Sequence, residues 1–233
     1  MSLDLGLGGK RALVTGGTKG VGRAVVAALH ANGMQVLTTA RKAEQGLPGG
    51  VHFVAADVTT VEGCAAVSAA VRERMNGVDI IVHVAGGSSA PAGGFAALDE
   101  AQWQAELNLN LFPAVRLDRA LLPAMIAQGS GKIVTVGALS ALKGSADMGA
   151  YGVAKSAVLR LTEAMAAENG RHGINVNSVL PSIIDTPENR AAMPKADPSK
   201  WVSPQALADV IRFLASDAAS AIQGALIPVT GRG

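Results

Sequence analysis

The run Thr15-Gly16-Gly17-Thr18-Lys19-Gly20-Val21-Gly22 constrains the fold of this chain more than any other stretch. The short apolar segment Ala12-Leu13-Val14 precedes it, and residues 20–32 follow with apolar side chains at helical spacing. Clustered glycines between a strand and a helix belong to β-α-β architectures, where the helix carries the chain back to start a parallel strand. The remaining sequence repeats that alternation. Segments 36–39, 51–54, 79–84, 132–136 and 174–179 read as further strands, and 60–75, 99–127, 149–169 and 204–216 as helices. Within 99–127, Pro113 and Pro123 predict kinks or boundaries. Ser203 predicts an N-cap with Pro204 at the first helical position, and residues 226–229 a final edge strand that tolerates Pro228.

The predicted strands are apolar without clean alternation, which fits a parallel sheet covered on both faces by helices. With 233 residues, 49% hydrophobic and 16% charged, the chain has enough apolar mass for one sizeable core. The expected fold is therefore an α/β, single-domain, Rossmann-like doubly wound parallel sheet over residues 1–233. A formal charge of +2 without basic runs argues against nucleic acid or a membrane surface as partner. No apolar run approaches the roughly 18 residues of a membrane span, and residues 1–9 contain Asp4 and no basic leader, so no signal peptide is expected. The one cysteine, Cys64, lies in a helical stretch and reads as a packed small side chain, consistent with a cytoplasmic protein. Residues 86–94 read as a loop after the fourth strand. Residues 183–201 carry three prolines and mixed charges, and read either as a loop or short helices near a site, forming a lid, or as a plain surface connection.

Glycine at 16 permits a tight turn, at 20 a close approach of backbone to a pyrophosphate, and at 22 the packing of helix on sheet. The helix start then offers free N–H groups and the positive end of its dipole to phosphates. Gly16, Thr18, Lys19, Gly20, Val21 and Gly22 are the candidate contacts. A dinucleotide site of the NAD type has an acid after the second strand to hold ribose hydroxyls. Here that strand ends Thr39-Ala40-Arg41-Lys42. Lys19 and Arg41 therefore favour a 2′-phosphate, hence NADP(H), with NAD(H) as the alternative if both are ordinary surface cations.

Tyr151 and Lys155 stand four apart in a helical segment and so share a face. A lysine beside a phenol favours phenolate and lowers its pKa, which suits proton exchange near neutral pH. In this order and context the chain resembles the classical short-chain dehydrogenase/reductase family over nearly its whole length. The resemblance rests on the glycine turn, Asp57-Val58, Ala85-Gly86, Asn110, the Tyr151/Lys155 pair and 181–186. It implies that Tyr151 is the general acid/base, that Lys155 holds the nicotinamide ribose and tunes Tyr151, and that Asn110 anchors a proton-relay water. It also implies that Asp57 and Val58 sit at the adenine, Ala85 and Gly86 along the ribose, and Pro181, Ile184 and Thr186 near the nicotinamide amide. A homodimer or homotetramer is a further implication.

Three departures stand out. The position of the usual serine, thirteen residues before the tyrosine, is Ala138, and the nearest hydroxyl is Ser140. The usual Asn-Asn-Ala-Gly reads His83-Val84-Ala85-Gly86, and the usual Pro-Gly reads Pro181-Ser182. His83 reads as a packed strand histidine rather than a ligand or base. The segments around 137–138, 151–155, 185–190 and 193–197 are similar to dihydropteridine reductase, a branch that works without that serine. Two functions follow as expectations. One is an NADP(H)-dependent reductase of a small carbonyl, dihydropterin or imine-like substrate, with Asn110, Tyr151, Lys155 and Ser140 as its catalytic candidates. The other is a cofactor-binding regulator with little or no catalysis, which Ala138 favours and the retained Tyr151, Lys155 and Asn110 oppose.

Overall fold

In the computed structural model, which describes residues 5–43, 45–89, 94–146 and 148–231, seven strands form one all-parallel sheet. In chain order they are β1 (Arg11–Thr15), β2 (Gln35–Ala40), β3 (His52–Ala55), β4 (Ile80–His83), β5 (Gly131–Val136), β6 (Ile174–Pro181) and β7 (Leu226–Val229). Their spatial order is β3-β2-β1-β4-β5-β6-β7. The order reverses between β1 and β4, and crevices at the carboxyl ends of strands flanking such a point are the ligand sites of doubly wound sheets. Register brings those ends level: Thr15 stands opposite Thr39 of β2 and His83 of β4.

The helices are α1 (Gly20–Ala31), α2 (Val61–Met75), α3 (Glu100–Asn110), α4 (Phe112–Gln128), α5 (Gly149–Asn169), α6 (Pro187–Ala192) and α7 (Pro204–Leu214). Their apolar stripes bury against opposite faces of the sheet. Val21, Val25 and Leu29 of α1 join Leu207, Ile211 and Leu214 of α7 on one face. Val67, Val71 and Met75 of α2 join Leu117, Leu121 and Met125 of α4, with Met165 of α5, on the other. Leu13, Leu37, Ile80, Ile81 and Ile133 are fully buried between them, so alternation along the strands is lost as expected.

One sequence expectation, the boundary at Pro123, needs correction. The stretch 99–127 is two helices, divided at Leu111 with Pro113 in the first turn of the second, so the boundary expected at Pro113 is present. Asp99 and Gln102 start α3 with a capping box. At its end the Asn110 side chain donates to the Glu106 carbonyl at 3.0 Å, and Pro113 has no N–H to return to the turn before it. Pro123 lies inside α4, which continues through it. The segment 183–201 forms short helical pieces beside the cleft. Ile184 bridges to Val202 in parallel, Thr186 caps α6 by accepting from the Asn189 N–H, and a 3₁₀ turn follows at Pro198–Lys200. The edge strand β7 is present with Pro228 in it, and Ser203 caps α7 by accepting from the Ala206 N–H.

Part of the loop 86–94 and residues 1–4 lie outside the described residues. Among the described residues no helix is long and apolar enough to cross a membrane. Cys64 is buried, its thiol 3.1 Å from the Val58 carbonyl, and burial pushes that thiol up from its ordinary pKa.

Candidate active site

A cleft of about 990 Å³ opens at the carboxyl ends of the strands. At one end lies the glycine turn. Gly20 sits at φ +50°, and a Cβ added there would meet nothing nearer than Thr186 Cγ2 at 3.6 Å, so its backbone borders open cleft. At Gly22 a Cβ would lie 2.1 Å from the Gly16 carbonyl oxygen, so the first turn of α1 can close on the glycine turn only without a side chain. Among the described residues no side chain caps that helix start, and no acid lies in its first turn. The Thr15 hydroxyl accepts from the Val84 and Ala85 N–H groups at 3.0 and 3.1 Å, tying the turn to the end of β4. A bare backbone cradle on an uncapped helix start fits a dinucleotide pyrophosphate.

Thr18 and Val21 are buried in this wall, and the Thr18 carbonyl accepts from Arg23 Nε at 2.8 Å. Lys19 is exposed and bonds Glu188 of α6 at 2.8 Å. That pair ties the glycine turn to the 183–201 segment and holds the Glu188 carboxyl below its usual range. Arg41 is exposed on the cleft rim. Its charge helps lower the Asp57 carboxyl, which is held down chiefly by accepting from the Thr59 hydroxyl at 2.7 Å and the Thr59 N–H at 3.0 Å. Val58, Ala85, Gly86, Pro181, Ile184 and Thr186 all line the same cleft.

At the other end, β5 runs into Gly137 and Ala138, and α5 begins with Tyr151 two residues from its start. Tyr151 and Lys155 both face the cleft. Lys155 is buried, and its Nζ donates to the Val136 carbonyl at 2.8 Å. Burial pushes it down to about 8, opposed by the charge of Glu106. The expectation for Tyr151 reverses: its phenol is pushed up, not down, first by burial and then by Glu106. The lysine turns its ammonium to a carbonyl, and the nearby carboxylate disfavours phenolate.

Asn110, at the end of α3, is buried, and both ends of its amide are hydrogen-bonded. Oδ1 accepts from the Gly87 N–H at 3.0 Å, while Nδ2 donates to the Gly87 carbonyl at 2.9 Å and to Glu106. The side chain thus braces the loop after β4. Ala138 is buried with its methyl on the cleft wall. Ser140 lies in the 3₁₀ turn Leu139–Ala141 and also lines the cleft. His83 is packed, as expected, and bonds Asp118 of α4 at 2.7 Å. The residue missed in the sequence is Glu106. It is fully buried, and its one signal was its place four residues before Asn110, which puts both on one helix face.

Comparison with known proteins agrees with this geometry. Residues 10–197 match the family model for short chain dehydrogenase. The chain belongs to the short-chain dehydrogenase/reductase family. It is 31% identical over 242 aligned positions to a 3-oxoacyl-[acyl-carrier-protein] reductase of Vibrio cholerae, covering 97% of this chain and 98% of that one. It is 32% identical to L-xylulose reductase of Bos taurus, with 98% of each chain covered. Among solved structures it is similar to L-sorbose reductase of Gluconobacter frateurii complexed with NADPH and L-sorbose, with a TM-score of 0.89, 28% identity and 98% of each chain covered. Membership makes this chain an NAD(P)-dependent oxidoreductase on a Rossmann fold.

Proposed function

We propose that the chain, as one domain over residues 1–233, is an NADP(H)-dependent reductase of a small carbonyl, dihydropterin or imine-like substrate, with Tyr151 as proton donor. One observation carries this reading: Tyr151 and Lys155 face the same cleft as the bare glycine cradle. Gly16, Thr18, Gly20, Val21 and Gly22 would hold the pyrophosphate, Asp57 and Val58 the adenine, and Ala85, Gly86, Pro181, Ile184 and Thr186 the nicotinamide half. The bound nicotinamide supplies the hydride. Tyr151, kept as a neutral phenol by its surroundings, holds the proton that the reduced substrate needs. Lys155 contributes a buried cation beside the ribose, and Asn110 fixes the loop that both groups face.

Preference for NADP(H) is supported by the absence of an acid at the end of β2, by Lys19 and Arg41 at that end of the cleft, and by the NADPH named for the L-sorbose reductase structure. Because Glu188 already pairs with Lys19, Arg41 is the readier phosphate partner. NAD(H) is the alternative cofactor. We further infer that the reaction runs without the usual serine, as in dihydropteridine reductase, since Ala138 offers no hydroxyl. The lone, buried Cys64 supports a cytoplasmic setting, and family membership supports a homodimer or homotetramer.

Ala138 also favours a second reading, a cofactor-binding regulator. Oxidation of NADPH and of NADH with a panel of ketones and a quinonoid dihydropterin tests the two. Turnover of any member with NADPH supports the reductase; tight cofactor binding with no turnover across the panel supports the regulator.

A further inference from the structure

Glu106 is 0% exposed on α3, yet no cation lies within ion-pair distance of it among the described residues. Its carboxylate is held by neutral donors. Oε1 accepts from the Ser89 N–H at 2.5 Å and the Ser89 hydroxyl at 2.9 Å, and Oε2 from Asn110 Nδ2 at 3.2 Å. A buried charge needs either neutralisation or an opposite charge nearby. Lys155 has the complementary problem: a buried ammonium with a carbonyl as its hydrogen-bond partner. Lys155 and Asn110, whose amide donates to the Glu106 carboxylate, meet across Gly86. A Cβ placed on that glycine would lie 2.9 Å from Asn110 Oδ1 and 3.1 Å from Lys155 Nζ, so the ammonium lies within two hydrogen-bond lengths of the amide that Glu106 holds.

We propose that Glu106 is a positioning residue of the active site: its buried carboxylate is the counter-charge to the Lys155 ammonium, and through Ser89 and Asn110 it fixes the loop at 86–89. Other charges on the packed elements are turned elsewhere. Arg116 of α4 donates to the Thr59 carbonyl and to Asn108, and Asp118 faces His83. On α5 the groups that feel Glu106 are Lys155 and Tyr151, and its charge raises the pKa of both. Glu106 thus keeps the lysine charged and the tyrosine protonated, the state a proton donor requires. This inference rests on the reading of Tyr151 as proton donor, but its test does not require turnover.

Tyr151 is the only tyrosine of the chain, so the near-ultraviolet absorbance of phenolate titrates this one group. In Glu106→Gln the absorbance should rise at a pH about one unit lower than in the native protein, since a nearby like charge has gone. Ser89→Ala loses a donor but keeps the charge, and should titrate as the native protein does. With an active substrate, the alkaline limb of the reduction rate should move to lower pH in Glu106→Gln, whereas a purely structural loss would lower the rate without moving the limb. An unchanged phenol titration in folded Glu106→Gln overturns the proposal. Should that variant fail to fold, the double variant with Lys155→Met must be more stable than either single one, because removing both charges leaves neither unpaired. Additive losses would overturn the proposal equally. Failure of the proton-donor reading is seen separately, as turnover that persists in Tyr151→Phe.

Discussion

The two ends of the cleft are built from different materials. The phosphate end is backbone: glycines at 16, 20 and 22, an uncapped helix start, and cations on its rim. The reaction end is side chain: Tyr151, Lys155, Asn110 and Glu106, three of the four buried, drawn from α3 and α5. A backbone cradle tolerates exchange of surrounding side chains but not an added Cβ. A side-chain cluster tolerates modest shifts of backbone but not the loss of a functional group. Substitutions at the two ends should therefore fail in different ways.

The largest effect is expected at the reaction end. Tyr151→Phe should reduce turnover by about 100-fold to 10,000-fold, the usual contribution of a general acid, while NADPH binding measured by calorimetry stays close to native. Near-native kcat would break the contrast between the ends. At the phosphate end, Gly22→Ala forces a methyl to within 2.1 Å of the Gly16 carbonyl, a clash between two backbone-anchored groups. It should cost about 1–3 kcal/mol of stability and lower cofactor affinity, read as a reduced Tm with and without NADPH. A native Tm would show that the turn is looser than its geometry.

Rim charges should matter less. Removing both Lys19 and Arg41 should weaken NADPH binding and leave NADH nearly unchanged. Each charge-assisted contact is worth about 1.5–3 kcal/mol gross, and less here because both side chains are exposed and Lys19 already pairs with Glu188. Equal calorimetric affinities for the two cofactors in the native protein would refute the preference. The smallest effect is expected at Ser140. Ser140→Ala should be nearly silent, and Ala138→Ser should raise activity on simple ketones. A loss of roughly tenfold in Ser140→Ala, without a gain in Ala138→Ser, would show that Ser140 supplies the missing hydroxyl.

The same division explains what could be read in the sequence. The phosphate end is local: one strand, one turn and one helix start lie within residues 11–22, so composition and spacing carry it. Apolar runs without alternation likewise mark the strands of the sheet, because burial on both faces writes itself into the central ones. The reaction end depends on contacts between distant segments. Spacing puts Asn110 on the same helix face as Glu106, but nothing near Glu106 in the chain indicates that Ser89 will close on its carboxylate, nor that Lys155 will turn to the Val136 carbonyl. The reversed shift of the Tyr151 phenol has the same origin, since spacing shows the lysine four residues away and hides the carboxylate on another helix. The helix break at Leu111 was obscured because Pro113 and Pro123 look alike in a sequence, while only the first adjoins the break.

The far side of the sheet carries a different kind of message. Ala225 and Val229 turn their carbonyls to β6, where the Ser178 and Ser182 N–H groups donate to them at 2.8 and 3.1 Å. Backbone groups alternate along a strand, so Leu226 and Pro228 present theirs to the open side. A proline there has no hydrogen to offer, and a stray strand approaching the seven-stranded sheet meets a missing rung in the ladder. Pro228 thereby leaves the open edge of the sheet one donor short for pairing with another strand.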